Sequence, residues 1–218
     1  MLSNINLQNQ YIHIIDDIRK RVISAELFAE ENRNIIFIES TTLQIRKILE
    51  LIAYMSLLLN REKINSKGRD EYHAKRIIEN ISGKTTIFYP FPSIVIPPKE
   101  ANSEQPVLSP IGYQSALSQK EFKEIYQECG EILHAQHPFK KQINYEKIVI
   151  KNQSTLKKIK NLLQQHTIGV KHDIDKYTFL HVKIDFSSHD EIKEVYIKEY
   201  KTKIFSEETL INIFTEKS

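Results

Sequence analysis

Residues 35 to 60, IIFIESTTLQIRKILELIAYMSLLLN, decide the fold. Aliphatic side chains recur at three- and four-residue steps but cover more than one face of the resulting helix. A helix that is apolar around most of its circumference has to be surrounded by other elements. The segment therefore predicts the central helix of a bundle. Glu39, Thr42, Arg46 and Glu50 interrupt the apolar pattern and fall on one stripe. Arg46 and Glu50 can pair at i,i+4, which is worth roughly 0.3–0.5 kcal/mol on an exposed helix. Buried, each charge must find a partner or cost several kcal/mol. The stripe is thus either a solvated or structurally paired strip, or a site facing another helix.

Elements of similar character lie on both sides. Residues 3 to 31 read as an amphipathic helix through Leu7, Tyr11, Ile18, Val22 and Phe28, with a turn over Glu31 to Asn34. A third helix is expected near Lys67 to Ser82, carrying Ala74, Ile77, Ile78 and Ile81 and stopping at Gly83. FYPFPSIVIPP, from Phe88, holds four prolines in eleven residues, which excludes a helix and favours extended chain. It anchors a proline-rich excursion over 85–111 that packs on the bundle, with ANSEQP, 101–106, at its tip. Ser118-x-x-Glu121 is a capping-box pattern that opens a fourth helix to about Ala135. Ser154 is expected to cap a fifth helix through Leu156, Ile159 and Leu162. YTFLHVKIDF and EIKEVYIKEY alternate as strands do, separated by a turn at Ser187 to Asp190, and read as one hairpin. Ser206 would cap a short terminal helix.

The fold class is therefore α+β and predominantly α, a helical bundle with a C-terminal two-stranded β element. Residues 1–145 form the bundle and 146–218 a small α+β region packed on it, as one compact domain overall.

Net charge is +3, from 31 basic and 28 acidic residues, so the field is weak; a local basic patch can contact nucleic acid, but nothing demands it. Five glycines and no tryptophan argue against a glycine-loop nucleotide site. The single Cys129 excludes an internal disulfide. No signal-peptide pattern is read, and the apolar run Ile48 to Leu59 is broken by Glu50, Tyr54 and Ser56, too short for a bilayer. A cytoplasmic protein without membrane association is the expectation.

Three groups of residues could carry chemistry. In YQECGEILHAQHPF, residues 126 to 139, Pro138 stops the helix and leaves His134 in its last turn with His137 beyond. There, unpartnered carbonyls and the helix dipole favour an imidazolium. Glu131-x-x-His134 is half of a carboxylate-bridged di-metal motif, but no second half exists, so neither a metal nor a cofactor is implied. In GRDEYHAKR, Arg69 and His73 fall at i,i+4, and Lys75 and Arg76 add charge; a helix face of this kind can hold phosphate, or simply be solvated. Cys129 and His134, five apart, lie on different faces, and a small buried thiol accounts for Cys129.

The stretches IESTTLQIRKILELIAYMSLLLN and YQECGEILHAQHPF resemble HEPN-like helical proteins over about residues 35 to 139. FYP followed by LHAQHPF also resembles bacterial proteins with an LHAxxPF-type motif. The HEPN-like resemblance implies a dimeric helical protein from a defence or mobile-element system, either a ribonuclease toxin or a noncatalytic RNA- or protein-binding partner. Catalytic members resemble one another through an Arg and a following His with four to six residues between them, one more at least than the three between Arg69 and His73. Arg69-x-x-x-His73 departs from that pattern and carries no catalytic role over.

The leading expectation is a noncatalytic module that binds RNA or a protein. The first alternative is a metal-independent endoribonuclease, with His134 as general acid or base, Arg46 on the phosphate and Glu50 orienting the arginine. The second is a scaffold subunit whose contact strip is Phe88, Tyr89, Phe91, Ile94, Val95 and Ile96.

Overall fold

The computed structural model describes residues 5–31, 33–96, 107–135, 139, 142–173, 176–186 and 195–201. The long helices α1 (Ile5–Glu30) and α2 (Ile35–Asn60) form an antiparallel hairpin. Asn34 caps α2 by accepting from the Ile36 N–H at 2.9 Å. Phe28 meets Phe37 beside the turn, and Arg21 donates to Gln44 at 3.0 Å further along the pair. Ile45, Ile48, Leu49, Ile52 and Met55 of α2 are fully buried, so the all-round apolar pattern does mark the central helix.

The third helix departs from expectation. The chain makes a single turn, α3 (Ser66–Arg69), breaks over Asp70 to His73, and restarts as α4 (Ala74–Ser82). Glu71 accepts from the backbone N–H groups of Tyr72 and His73 at 3.1 and 2.9 Å, satisfying donors that a continuous helix would have used. Arg69 turns back to donate to Ile64 O at 2.8 Å. The two residues expected at i,i+4 therefore never share a helix face.

The capping box forms as read: the Ser118 hydroxyl accepts from the Glu121 N–H, the Glu121 carboxylate accepts from the Ser118 N–H, and α5 runs Gln119–Leu133. Helix α6 (Tyr145–Leu163) begins nine residues before Ser154, because Asn144 accepts from the Lys147 N–H and supplies the cap. Ser154 is interior to the helix.

The β component is larger than a hairpin. Strands β1 (Phe91–Ile96), β2 (Val107–Pro110), β3 (Gln165–Asp173), β4 (Lys176–Ile184) and β5 (Val195–Lys201) form an antiparallel sheet in the order β2-β1-β3-β4-β5. The expected hairpin is present as β4 and β5, with Leu180 opposite Glu199. Strand β3 follows α6 with only Gln164 between them, and the sequence reading places no strand there. The proline-rich segment is extended as expected, but it joins the sheet: Phe91 lies opposite Thr167 and Pro92 opposite His166. Upstream, Gly169 N donates to Ile87 O at 2.9 Å; a Cβ on Gly169 would stand 2.6 Å from that oxygen.

Strand alternation sorts the sheet into two faces. Ile168, Val170, Leu180, Val182 and Ile184 join the helical core, which extends from Leu7 to Ile184 in one cluster. Phe91, Tyr177 and Phe179 build a second, smaller cluster with Ile87. Phe88, Tyr89 and Phe91 are consequently buried, leaving only Ile94 and Ile96 exposed from the proposed scaffold strip. The expected tip at 101–106, the turn at 187–190, the Ser206 helix, His137 and Pro138 lie outside the described residues. No helix among the described residues is long and apolar enough to cross a membrane.

Candidate functional site

The polar stripe on α2 faces other helices, and each member has found a partner there. Glu39 accepts from Tyr145 OH at 3.2 Å. Thr42 accepts from the buried Asn152 amide of α6 at 2.9 Å. Arg46 Nη2 donates to Tyr126 OH at 3.1 Å, and its guanidinium carbon lies 4.4 Å from the centroid of that ring. Arg46 Nε is 3.5 Å from Glu50 Oε1, while Lys47 takes the other carboxylate oxygen at 2.8 Å. Tyr126 OH donates to Glu50 at 3.4 Å. Burial holds the Tyr126 phenol above its ordinary pKa; the Arg46 charge opposes this and the Glu50 charge reinforces it. The phenol thus remains a donor near neutrality.

His134 is not part of this cluster. It terminates α5 as an exposed C-cap, eight residues and about 12 Å of helix beyond Tyr126. It forms no hydrogen bond or ion pair with Arg46 or Glu50, so the expected catalytic trio is not assembled. The imidazole that does arrive is His73, edge-on to Tyr126 with ring centroids 5.1 Å apart. Its Nδ1 is buried without a hydrogen-bond partner. Arg46 and Glu50 therefore form a brace between α2 and α5 through the Tyr126 hydroxyl. Sequence reasoning missed Tyr126. The available signal was Gly130, an isolated glycine inside a helix one turn from Tyr126, a position that calls for a packing reason.

The second group divides as well. Arg69 Nε donates to Ile64 O, and His73 packs edge-on against the Tyr126 ring. Lys75 lies outside the cleft that Arg76 enters. That cleft has a volume of about 430 Å³, and Lys63, Lys67, Arg76 and Lys84 converge on it with Glu71 and Glu79. Backbone N–H groups, that of His73 foremost, hold the Glu71 carboxyl below its usual pKa, so it is ionised, and Arg76 approaches it at 3.8 Å. Lys67 and Lys84 have no carboxylate partner among the described residues. Tyr72, immediately next to Glu71, is 78% exposed. Lys63 and Lys84 were missed because they flank the helical segment and only the break at Asp70 to His73 folds the chain around them.

Cys129 is buried beside the groove between α5 and α6, where burial pushes its thiol up to about 12, an inert state. No group of three His, Cys, Asp or Glu side chains among the described residues could hold a metal ion. Comparison with family models, curated proteins and solved structures gave no match.

Proposed function

We propose that this chain is a noncatalytic RNA-binding module whose contact surface is the α3–α4 cleft. The observation that carries the reading is the convergence of four cations on one concavity, with an exposed aromatic residue, Tyr72, next in the chain to its Glu71. Cations neutralise phosphates, and an aromatic ring offers a stacking platform for an unpaired base whatever its identity. A duplex keeps its bases stacked on one another, so the combination favours single strands. The HEPN-like resemblance is in keeping with this reading, as is a bacterial defence or mobile-element setting.

Fluorescence anisotropy with a labelled single-stranded RNA tests the proposal. Binding should weaken as salt rises and fall at least tenfold in a Lys67→Glu, Lys84→Glu variant. Salt-independent binding, or none, would remove it. The endoribonuclease alternative draws its support from His73 beside the Arg46 brace rather than from His134. Under the binding reading the RNA stays intact, and cleavage that disappears in His73→Ala would favour the alternative.

A further inference from the structure

The α3–α4 cleft is lined from two segments of the chain. Residues from Lys63 to Gly68 line one side, residues from Arg76 to Lys84 the other, and Glu71 comes from the connection between these segments. At about 430 Å³ it lies in the range of small-ligand pockets, roughly 300–1,000 Å³. Four cations against two carboxylates leave a formal balance of +2. Glu71 is the less repulsive of the two carboxylates, since one of its oxygens already accepts from two backbone N–H groups.

Amide donors complete the lining. Asn65 uses its side-chain oxygen to accept from the Gly68 N–H at 2.9 Å, which leaves its NH2 group available, and Asn80 lines the opposite side. An internal phosphodiester carries a single negative charge, whereas a phosphomonoester carries about −1.5 to −2 near pH 7. The latter matches the balance of the cleft, and its additional anionic oxygen suits a pocket with donors on both sides.

We propose that this cleft grips a phosphomonoester, the terminal phosphate of an RNA strand, with Lys67, Lys84 and Arg76 as its cationic contacts and Tyr72 stacking on the adjacent base. The inference rests on the RNA-binding reading and adds strand-end recognition to it.

The test compares one single-stranded RNA sequence with a 5′-phosphate, a 3′-phosphate or hydroxyls at both ends, by competition anisotropy on the full chain. Uridine monophosphate and inorganic phosphate serve as free competitors. One phosphorylated end should bind at least tenfold tighter than the hydroxyl form. Lys67→Ala with Lys84→Ala should abolish that increment, while Lys157→Ala, on a separate cavity between α1 and α6, should retain it. Equal affinity for all three ends would overturn strand-end recognition and leave RNA binding standing. Binding of uridine monophosphate without binding of any RNA would keep the monoester pocket and remove the RNA reading. An increment that survives the double lysine variant would place the phosphate elsewhere and overturn the assignment.

Discussion

A Cβ built on Gly130 would stand 2.8 Å from Arg46 Nη1. The guanidinium thus occupies the space that the missing side chain of this α5 glycine leaves. Glycine in a helix interior costs roughly 1 kcal/mol relative to alanine. Here the cost is offset by a brace that bonds Arg46, Glu50 and Tyr126 across two helices.

That relationship makes the effect of Gly130→Ala depend on Arg46. In the parent chain the new methyl group makes the flexible guanidinium tip shift and strains its hydrogen bond and ring contact, so the substitution should fall short of the roughly 1 kcal/mol that alanine brings to a helix interior. In an Arg46→Ala background the obstruction is gone, and the same substitution should bring that gain in full. Urea denaturation of the four proteins measures both legs of the cycle. An additive result would mean that the brace and the glycine are unrelated.

A second prediction comes from two histidines of the sheet, His166 on the face toward the bundle and His181 on the opposite face. His166 and His181 are fully buried. His166 bonds Tyr11 OH at 3.2 Å and Leu163 O at 2.9 Å; because that carbonyl can only accept, Nδ1 carries the proton. His181 Nδ1 lies 3.2 Å from Thr167 and 3.3 Å from Ser93, while its Nε2 has no partner. Burial lowers both imidazoles to about 4; at His166 the hydrogen bond to Leu163 O opposes this and the His181 charge adds to it, and at His181 the Lys183 charge adds to it. Unfolding raises each toward its ordinary 6.5, so the unfolded chain binds more protons in this window. Stability should be complete above pH 7 and decline as pH falls from about 6.5 to 4, by about 3 kcal/mol for His166 alone. Glu71 and Glu121, held below the ordinary carboxyl range, extend the loss at lower pH. Thermal melts from pH 8 to pH 4 check the slope. His166→Gln should lower stability at pH 8 yet flatten the decline between 6.5 and 4.

How much of this was legible depends on whether the determining interaction is local. The span of α2, the α5 capping box and the β4–β5 hairpin were readable because periodicity and a side chain three residues from its backbone partner set them. The partners of the α2 stripe were not. Arg46 and Tyr126 are eighty residues apart, and nothing near either announces the other except Gly130. The break between α3 and α4 escaped because Glu71 reads as an ordinary helical residue until its carboxylate is seen on two backbone N–H groups. Strand β3 was hidden by its abrupt start after α6. His134 was the conspicuous histidine in sequence, standing at a helix end before a proline, but that position leaves it exposed rather than convergent.

Gly169 provides a test of the strand the sequence concealed. Its N–H bonds Ile87 O, and a Cβ would meet that oxygen at 2.6 Å and Ile87 Cγ2 at 3.1 Å. The obstruction is largely backbone, which cannot rotate away as a side chain can. Gly169→Ala should therefore cost more than about 2 kcal/mol, against a gain of under 1 kcal/mol from reduced freedom of the unfolded chain. Chemical denaturation measures it. A neutral result would mean that the proline-rich segment does not lie against β3.

Salt dependence and an aromatic substitution separate the two physical components of the RNA proposal. Each phosphate neutralised on a single strand contributes a slope of about −0.7 in log affinity against log salt. Lys67→Ala and Lys84→Ala should each make the slope shallower by somewhat less than one unit and weaken binding alike across RNA sequences. Tyr72 carries no charge, so Tyr72→Ala should leave the slope unchanged while costing about 1–3 kcal/mol of binding, and Tyr72→Phe should retain most of the affinity. The ring is exposed, so neither variant should alter the thermal melt appreciably. Anisotropy titrations at four salt concentrations give slope and intercept together. If Tyr72→Ala flattened the slope as the lysine variants do, the loss would lie in the architecture of the cleft, and stacking at Tyr72 would have to be abandoned.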